Sequence, residues 1–212
     1  MKNSLRFCFP ALSLMLIFAF APAVFAQEHE LAFVVGRMKP SDRSLSLNPL
    51  PAAETAFSGA ATYQVNYANR VINGEVASLH FEIPVVVAPR TGVKSDNFFL
   101  PRTYSTLIFT PGLKLKVLPG GGLSPYVVSG IGLGRFGLSE TNINGTPTVG
   151  DRSNTSFVFN FGGGVDLNLL GPISIRGEVR DFMTGSPSFS TPFLNDRQHN
   201  LFVGLGIVIR IN

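Results

Sequence analysis

Short segments in which apolar and polar residues alternate strictly recur along this chain, and they constrain the fold more than any other feature. In ISIRGEVRDF (173–182), Arg176, Glu178 and Arg180 share one parity, and aliphatic side chains occupy much of the other. Because successive side chains of an extended strand point to opposite faces, this pattern predicts a strand with one charged and one apolar face. No helical period of useful length follows residue 26, so the sequence predicts an all-β protein.

Six segments fit this pattern, and two less regular ones, 30–38 and 125–136, bring the count of predicted strands to eight. The connections between the strands alternate between long and short. The short connections are turns that contain Gly or Pro. The long ones are rich in Pro, Ser, Thr, Asn and Asp and lie at about 39–54, 89–102, 139–155 and 183–198. This order predicts an up-and-down meander of eight antiparallel strands that closes into a barrel, with both chain ends on the side of the short turns.

Two classes of exported eight-stranded barrel differ in which face of the strands is apolar. A soluble lipocalin-like carrier has an apolar interior, whereas a transmembrane barrel of the outer membrane has an apolar belt and a polar interior. The apolar faces of 79–87 and 201–211 are uninterrupted, and a tilted spanning strand needs about 9–11 residues. We therefore predict a transmembrane barrel, with the lipocalin-like periplasmic carrier as the alternative. The side chains predicted to face lipid include Tyr63, Tyr67, Phe81, Phe109, Phe157, Phe159, Phe161, Leu201, Ile207, Ile209 and Ile211.

The charged faces then point into the barrel. A barrel of this size has an interior just wide enough for side chains to fill, so its buried charges need partners. The third strand lies across the lumen from the seventh, which puts Glu82 opposite Arg176. The predicted lumen charge network consists of His80, Glu82, Lys114, Lys116, Asp166, Arg176, Glu178, Arg180 and Arg210.

The hairpin of the sixth and seventh strands is predicted to be registered about Leu170. The glycines of this hairpin would then give the long charged side chains room to lie against the wall. The predicted pairs are Asp166 with Ser174, Gly164 with Arg176, Gly162 with Glu178 and Asn160 with Arg180.

The first 26 residues read as a secretory signal peptide, which leaves residues 27–212 as one barrel domain. Lys2 and Arg6 precede an apolar run of about 14 residues, and VFA offers a cleavage site after Ala26. The rival interpretation, a transmembrane helix, needs about 20 apolar residues. Cleavage removes Cys8, the only cysteine, and three dispersed histidines make a dedicated metal site unexpected. No cofactor is predicted, and no basic run indicates nucleic-acid binding.

Three stretches carry a resemblance to a known family: GGGVDLNLLGPISIRGEVRDF, PYVVSGIGLG and the final strand. The chain resembles the small eight-stranded outer-membrane barrels of the OmpA/OmpX type, also described as porin-family β-barrel domains. The resemblance implies the outer membrane of a Gram-negative-type bacterium, contact with lipid and lipopolysaccharide, and recognition of the last strand by the barrel-assembly machinery. Family members end in an aromatic residue, whereas Ile209 and Ile211 occupy the last outward positions here and Asn212 follows.

The sequence favours a non-enzymatic barrel that holds long extracellular loops for a structural or surface-contact role. A narrow ion or solute pore is one alternative, since internal salt bridges have been proposed as a gate in OmpA-type barrels. The other is a lipid A-modifying enzyme, and the related deacylases carry Ser two residues after His on an outward face. Here His29, His80 and His199 are followed at that spacing by Leu31, Glu82 and Leu201.

Two long connections have apolar tips, at Phe98–Phe99 and Phe193–Leu194. These tips are predicted either to touch lipopolysaccharide or a partner surface, or to extend the outer aromatic girdle of the barrel.

Overall fold

The computed structural model describes residues 28–47, 50–95, 102–141, 143–147, 153–185 and 197–211. The predicted signal peptide and both apolar loop tips lie outside these ranges. None of the described residues forms a helix that is both long and apolar enough to cross a membrane. The strands are β1 (His29–Pro40), β2 (Arg43–Leu47), β3 (Leu50–Phe57), β4 (Ala60–Asn73), β5 (Ala77–Ser95), β6 (Thr103–Phe109), β7 (Gly112–Val117), β8 (Leu123–Leu138), β9 (Ser153–Leu170), β10 (Ile173–Gly185) and β11 (Arg197–Ile211).

The strands form a closed antiparallel ring. β1 pairs with β4 on one side and with β11 on the other, which joins the two ends of the meander. Around the ring the order is β1, β4, β5, β6 with β7, β8, β9, β10 and β11. The predicted eight-stranded up-and-down barrel is therefore confirmed. We call the end with the short turns and the start of β1 the turn end, and the opposite end the loop end.

One strand of the ring is interrupted at Thr110 and Pro111, which separate β6 from β7. The pairings Val85–Phe109 and Glu82–Gly112 show that the register with β5 is the same on both sides of the gap. This register places Pro84 of β5 opposite Thr110, beside Pro111. Because proline has no backbone N–H to donate, two prolines at one point of the ladder interrupt its hydrogen bonding without changing the topology.

The first long connection, predicted at about 39–54, contains a hairpin that the sequence did not indicate. β2 pairs with β3, and β3 pairs with the loop-end part of β5 from Thr55–Ser95 to Phe57–Val93. The pairing of β4 with β5 ends at Tyr63–Val87, which leaves the rest of β5 open on that side. The hairpin supplies the backbone partners that this exposed edge needs.

The predicted register of the β9–β10 hairpin was wrong. The chain reverses at Gly171 and Pro172, where Gly171 has a φ of +54° that favours glycine. Leu170 pairs with Ile173, and an irregularity between Ile173 and Ser174 then shifts the ladder. The position of the turn shifts the predicted register by three residues, and the one extra residue of the bulge takes back one, so each predicted pair is displaced by two positions. The observed pairs are Asp166 with Arg176, Gly164 with Glu178, Gly162 with Arg180 and Asn160 with Phe182.

The parity of the strands sets what faces in and what faces out. Arg176 and Glu178 are buried, whereas Ile175 and Val179, which flank this pair in the sequence, are exposed on the outer wall. A lipocalin would place the apolar rows inside, so this arrangement excludes that alternative. The exposed outer wall contains every side chain predicted to face lipid: Tyr63, Tyr67, Phe81, Phe109, Phe157, Phe159, Phe161, Leu201, Ile207, Ile209 and Ile211.

Candidate functional site in the barrel lumen

The half of the lumen nearer the turn end holds a layer of buried charges, which we call the charge layer. Its acidic and basic members are equal in number, so the layer has no net formal charge. The acids are Glu30, Glu82, Asp166 and Glu178, and the bases are Lys114, Lys116, Arg176 and Arg180. A balanced set is what a narrow, poorly solvated interior demands, because an unpaired buried charge is strongly destabilising.

One side of the charge layer is organised around Glu30 of β1 and Asp166 of β9. Glu30 accepts hydrogen bonds from Lys114, at 2.5 Å, and from Lys116. Lys116 also lies 2.8 Å from Asp166. Arg176 donates to both carboxylate oxygens of Asp166, at 2.7 and 2.9 Å, and this paired geometry fixes the guanidinium in orientation as well as in position.

The other side of the charge layer connects β5 to β10. Arg180 Nη2 lies 2.7 Å from Glu82 and donates to Glu178 at 3.1 Å. Glu82 also lies 3.4 Å from Lys114 and 3.9 Å from Arg176. The predicted opposition of Glu82 and Arg176 is present, but the shorter contact of Glu82 is with Arg180. Ion pairs therefore cross the lumen in several directions and tie β1, β5, β7, β9 and β10 together.

Two neutral side chains complete the partners of Glu178. Tyr126 donates its hydroxyl to Glu178 at 2.7 Å, and Gln64 donates to the same carboxylate. The Cζ atom of Arg176 also lies over the Tyr126 ring, 4.8 Å from the ring centroid, and this adds a cation–π contact. A Cβ on Gly164 would lie 2.6 Å from the Tyr126 hydroxyl oxygen, so glycine at this position makes room for the tyrosine. The sequence predicted that lumen glycines make room for long charged side chains. Gly164 makes room in the same way, but for Tyr126, which the sequence did not single out.

His80 and Arg210, both predicted members of the lumen network, lie apart from the ion pairs of the charge layer. His80 is buried, and its Nε2 lies 2.9 Å from the hydroxyl of Ser78. Arg210 is half-buried at the turn end, where it donates to Asn168 and to Ser174. Arg210 lines a cavity of about 630 Å³ that opens at the turn end.

Sequence reasoning missed Glu30, Gln64 and Tyr126. The β1 segment reads as apolar on both parities, so its one acidic residue was not assigned to a face. Glu30 shares its parity with Ala32 and Val34, which are also buried. The signal that would have found it is the excess of bases over acids among the other lumen residues. Four bases face inward from β7 and β10, and without Glu30 only three acids balance them.

Toward the loop end a cluster of apolar side chains enters the lumen beside buried polar ones such as Thr110, Asn160 and Asn200, and the sequence did not predict this cluster. We call this second set of buried side chains the apolar layer: Val34, Met38, Val86, Ile108, Val158, Phe182 and Phe202. Phe182 follows Arg180 at the next inward position of β10. Phe202, on the neighbouring strand β11, pairs with Arg180. The expectation of a polar interior therefore holds for the half of the lumen nearer the turn end, whereas the other half is mixed.

An aromatic cluster lies at the loop end beyond the apolar layer. Phe57 packs edge-on against Tyr104, with ring centroids 6.0 Å apart, and Tyr104 lies 6.3 Å from Phe136. Val93 and Leu138 pack against the same cluster. These contacts attach the end of β3 to β5, β6 and β8, which holds the extra hairpin on the barrel.

Solved structures with the same closed ring decide what kind of barrel this is. Neisserial surface protein A aligns over 88% of this chain and 100% of its own, with a TM-score of 0.55 and 12% identity. A major outer membrane protein from Thermus thermophilus aligns over 88% and 100%, with a TM-score of 0.52 and 11% identity. The chain has the fold of the small outer-membrane β-barrels. The resemblance to barrels of the OmpA/OmpX type is thereby confirmed at the level of the fold.

A third outer-membrane barrel agrees with this assignment. The attachment invasion locus protein of Yersinia pestis, solved with a heparin analogue, covers 87% of this chain and 100% of its own, with a TM-score of 0.50 and 11% identity. No protein-family model matches the sequence, and no curated protein does. With an apolar outer wall on this fold, the barrel is an outer-membrane protein, as the sequence predicted.

Proposed function

We propose that the protein is a closed, non-conducting and non-enzymatic barrel that holds its long loop-end connections at the outer surface of the membrane. The observation that carries this proposal is the filling of the lumen by two stacked layers. The charge layer occupies the turn-end half, and the apolar layer lies directly above it. A barrel filled in this way acts as a rigid anchor for what it displays.

Both layers oppose the passage of ions. In the charge layer, Arg176 and Arg180 are fully buried and bonded to carboxylates, so a permeating ion would have to break buried ion pairs. In the apolar layer, Phe182 and Phe202 have no exposed surface. A hydrophobic constriction of this kind prevents conduction because it excludes water and leaves an ion without hydration.

The serine and histidine that come together in the lumen do not support an enzymatic role. Ser78 and His80 form a hydrogen bond, which is the first contact that nucleophilic catalysis requires. Both are buried, and Nδ1 of His80 has no hydrogen-bond partner among the described residues. A catalytic histidine needs an orienting acid on that nitrogen and access for the substrate. We infer that this pair is structural.

The remaining predicted partners belong to this proposal. The outer wall would contact membrane lipid, including lipopolysaccharide in the outer leaflet. β11 would present its outward residues Leu205, Ile207, Ile209 and Ile211 to the barrel-assembly machinery, since it closes the ring against β1.

Conductance in planar lipid bilayers tests the closed barrel directly. We expect the purified, folded protein to give no discrete current steps under conditions in which a known porin conducts in the same membrane. Heat-modifiable gel mobility, measured on the same sample, verifies that the barrel is folded. Discrete openings that change size or disappear in the Arg176→Ala or Glu178→Ala variant would contradict this proposal and favour the narrow pore.

A further inference from the structure

Basic side chains gather at one place on the outer wall, at the loop-end border of the apolar belt. Arg37 and Lys39 project outward from β1, and His199 and Arg197 from the neighbouring β11, and all four are exposed. Lys39 pairs with Leu201, which makes His199 its diagonal neighbour on the same face. We call these four residues the basic patch.

The height of the basic patch matches the level of lipid head groups. His29 marks the turn-end border of the belt, where its ring stacks on Tyr67 with centroids 5.8 Å apart, as interfacial aromatic side chains do. Lys39 lies ten residues further along β1. At about 3.4 Å per residue and a tilt of about 40°, this separation is about 26 Å along the membrane normal, close to the height of about 25 Å of such a belt. Lys39 is thus at the outer border.

The side chain of Arg37 is directed toward the same level. Arg37 pairs with Ala61, and Gly59 lies two residues further toward the loop end. A Cβ on Gly59 would lie 2.4 Å from Arg37 Nε and 3.2 Å from its Cδ, so the arginine runs over this glycine. The apolar stem of Arg37 therefore lies along the wall while its guanidinium rises toward the head groups, as long basic side chains do at membrane interfaces.

The basic patch keeps an excess of positive charge, because fewer acidic than basic side chains lie near it among the described residues. Two described acids lie near the patch. Asp181 accepts hydrogen bonds from His199, at 2.6 Å, and from the backbone N–H of Asn200, at 3.1 Å. Asp42 accepts a hydrogen bond from the backbone N–H of Phe57, at 3.0 Å. Across the residues that the structure describes, no ion pair is formed by Arg37, Lys39 or Arg197. The patch therefore presents several donors to an anion at a level where phosphates are abundant.

We propose that the basic patch binds the phosphorylated head group of lipopolysaccharide in the outer leaflet. This inference rests on the outer-membrane placement in the proposed function and adds a specific lipid site to it. Several clustered cations fit a head group with more than one phosphate, since arginine and lysine both bind phosphate through charge-assisted hydrogen bonds. A zwitterionic phospholipid carries its own ammonium group next to a single phosphate and matches the patch less well.

Lipid binding to the full barrel, folded in detergent, tests the site by native mass spectrometry. The probes are bisphosphorylated lipid A, the same lipid without its phosphates, and phosphatidylglycerol. We expect lipid A to bind the Arg37→Gln/Lys39→Gln variant about tenfold or more weakly than the original protein. Arg135→Gln is the matched control, because Arg135 is also basic, exposed and near the loop end, but lies on β8 away from the patch. It should bind lipid A as the original protein does.

A second variant keeps every charged residue and changes only the position of the Arg37 guanidinium. Gly59→Ala adds a methyl group where the Arg37 side chain lies, so we expect it to weaken lipid A binding as well. Equal binding of lipid A by the double variant and the original protein would overturn the site, as would equally tight binding of dephosphorylated lipid A or of phosphatidylglycerol. Either result would leave the closed barrel intact, whereas current steps in bilayers would overturn the closed barrel and leave this site standing.

Discussion

Replacing Arg176 by methionine is expected to lower the free energy of unfolding by about 3–5 kcal/mol, because the substitution leaves buried carboxylates without a counter-charge. Arg176 is fully buried and bonds both oxygens of Asp166, with Glu30 at 3.5 Å. Methionine retains much of the volume but none of the charge. Urea titration of the barrel folded in lipid vesicles measures the effect.

The matched control is Arg70→Met, the same chemical change at the turn-end rim. Arg70 pairs with Glu28 at 2.6 Å, but both side chains are partly exposed, so we expect a loss of about 1 kcal/mol or less. Combining Arg176→Met with Asp166→Leu restores the charge balance, and its cost should be smaller than the sum of the two single changes. If Arg176→Met costs no more than Arg70→Met, the charge layer does not stabilise the barrel as described.

Replacing Phe202 by alanine is expected to cost about 3–5 kcal/mol, since it removes a large buried side chain and leaves a cavity in the apolar layer. Phe202 has no exposed surface and packs inside the lumen. The adjacent residue provides the control. Val203 lies on the outer wall and is 52% exposed. Lipid tails fill the space that Val203→Ala leaves, so its cost should be about 1 kcal/mol or less. Equal effects on the same urea titration would show that the lumen is not packed.

The strand parity of this fold is readable from the sequence, because membrane lipid and a filled lumen impose opposite demands on alternate residues. In β10, Arg176, Glu178 and Arg180 are buried and Ile175 and Val179 are exposed, as the alternation indicates. The alternating long and short connections likewise fix the meander, since each short turn forces an antiparallel neighbour. These two signals suffice for the barrel and for most members of the charge layer.

Register is harder to predict, because it depends on the local geometry of single turns. The Gly171–Pro172 turn and the bulge beside it displace every pair of the β9–β10 hairpin, so that Asp166, and not Gly164, faces Arg176. The alternation of side chains is unchanged by a shift of two residues. The sequence therefore identified the correct lumen residues with the wrong partners.

The apolar layer was missed for a different reason. Membrane lipid requires apolar residues on the outer wall of a barrel, whereas inward positions accept either polar or apolar residues. The sequence pattern therefore does not indicate that Phe182 and Phe202 form a layer inside the lumen. Ile108 and Val86 lie between outward apolar neighbours, where a continuous apolar run hides the inward position. These four side chains belong to one cluster only because the closed ring places β5, β6, β10 and β11 at the same depth, which the sequence pattern does not show.

Tryptophan scanning with lipid-attached quenchers is the measurement that tests the central claim, the inversion of inside and outside, most directly. The chain contains no tryptophan, so each substitution introduces a single probe. With brominated lipid, we expect strong quenching in the Val203→Trp, Leu205→Trp and Ile207→Trp variants, whose positions face outward on β11. The Phe202→Trp and Phe182→Trp variants, with their probes inside the lumen, should be protected. Quenching at the two phenylalanine positions, with protection at the other three, would contradict the account.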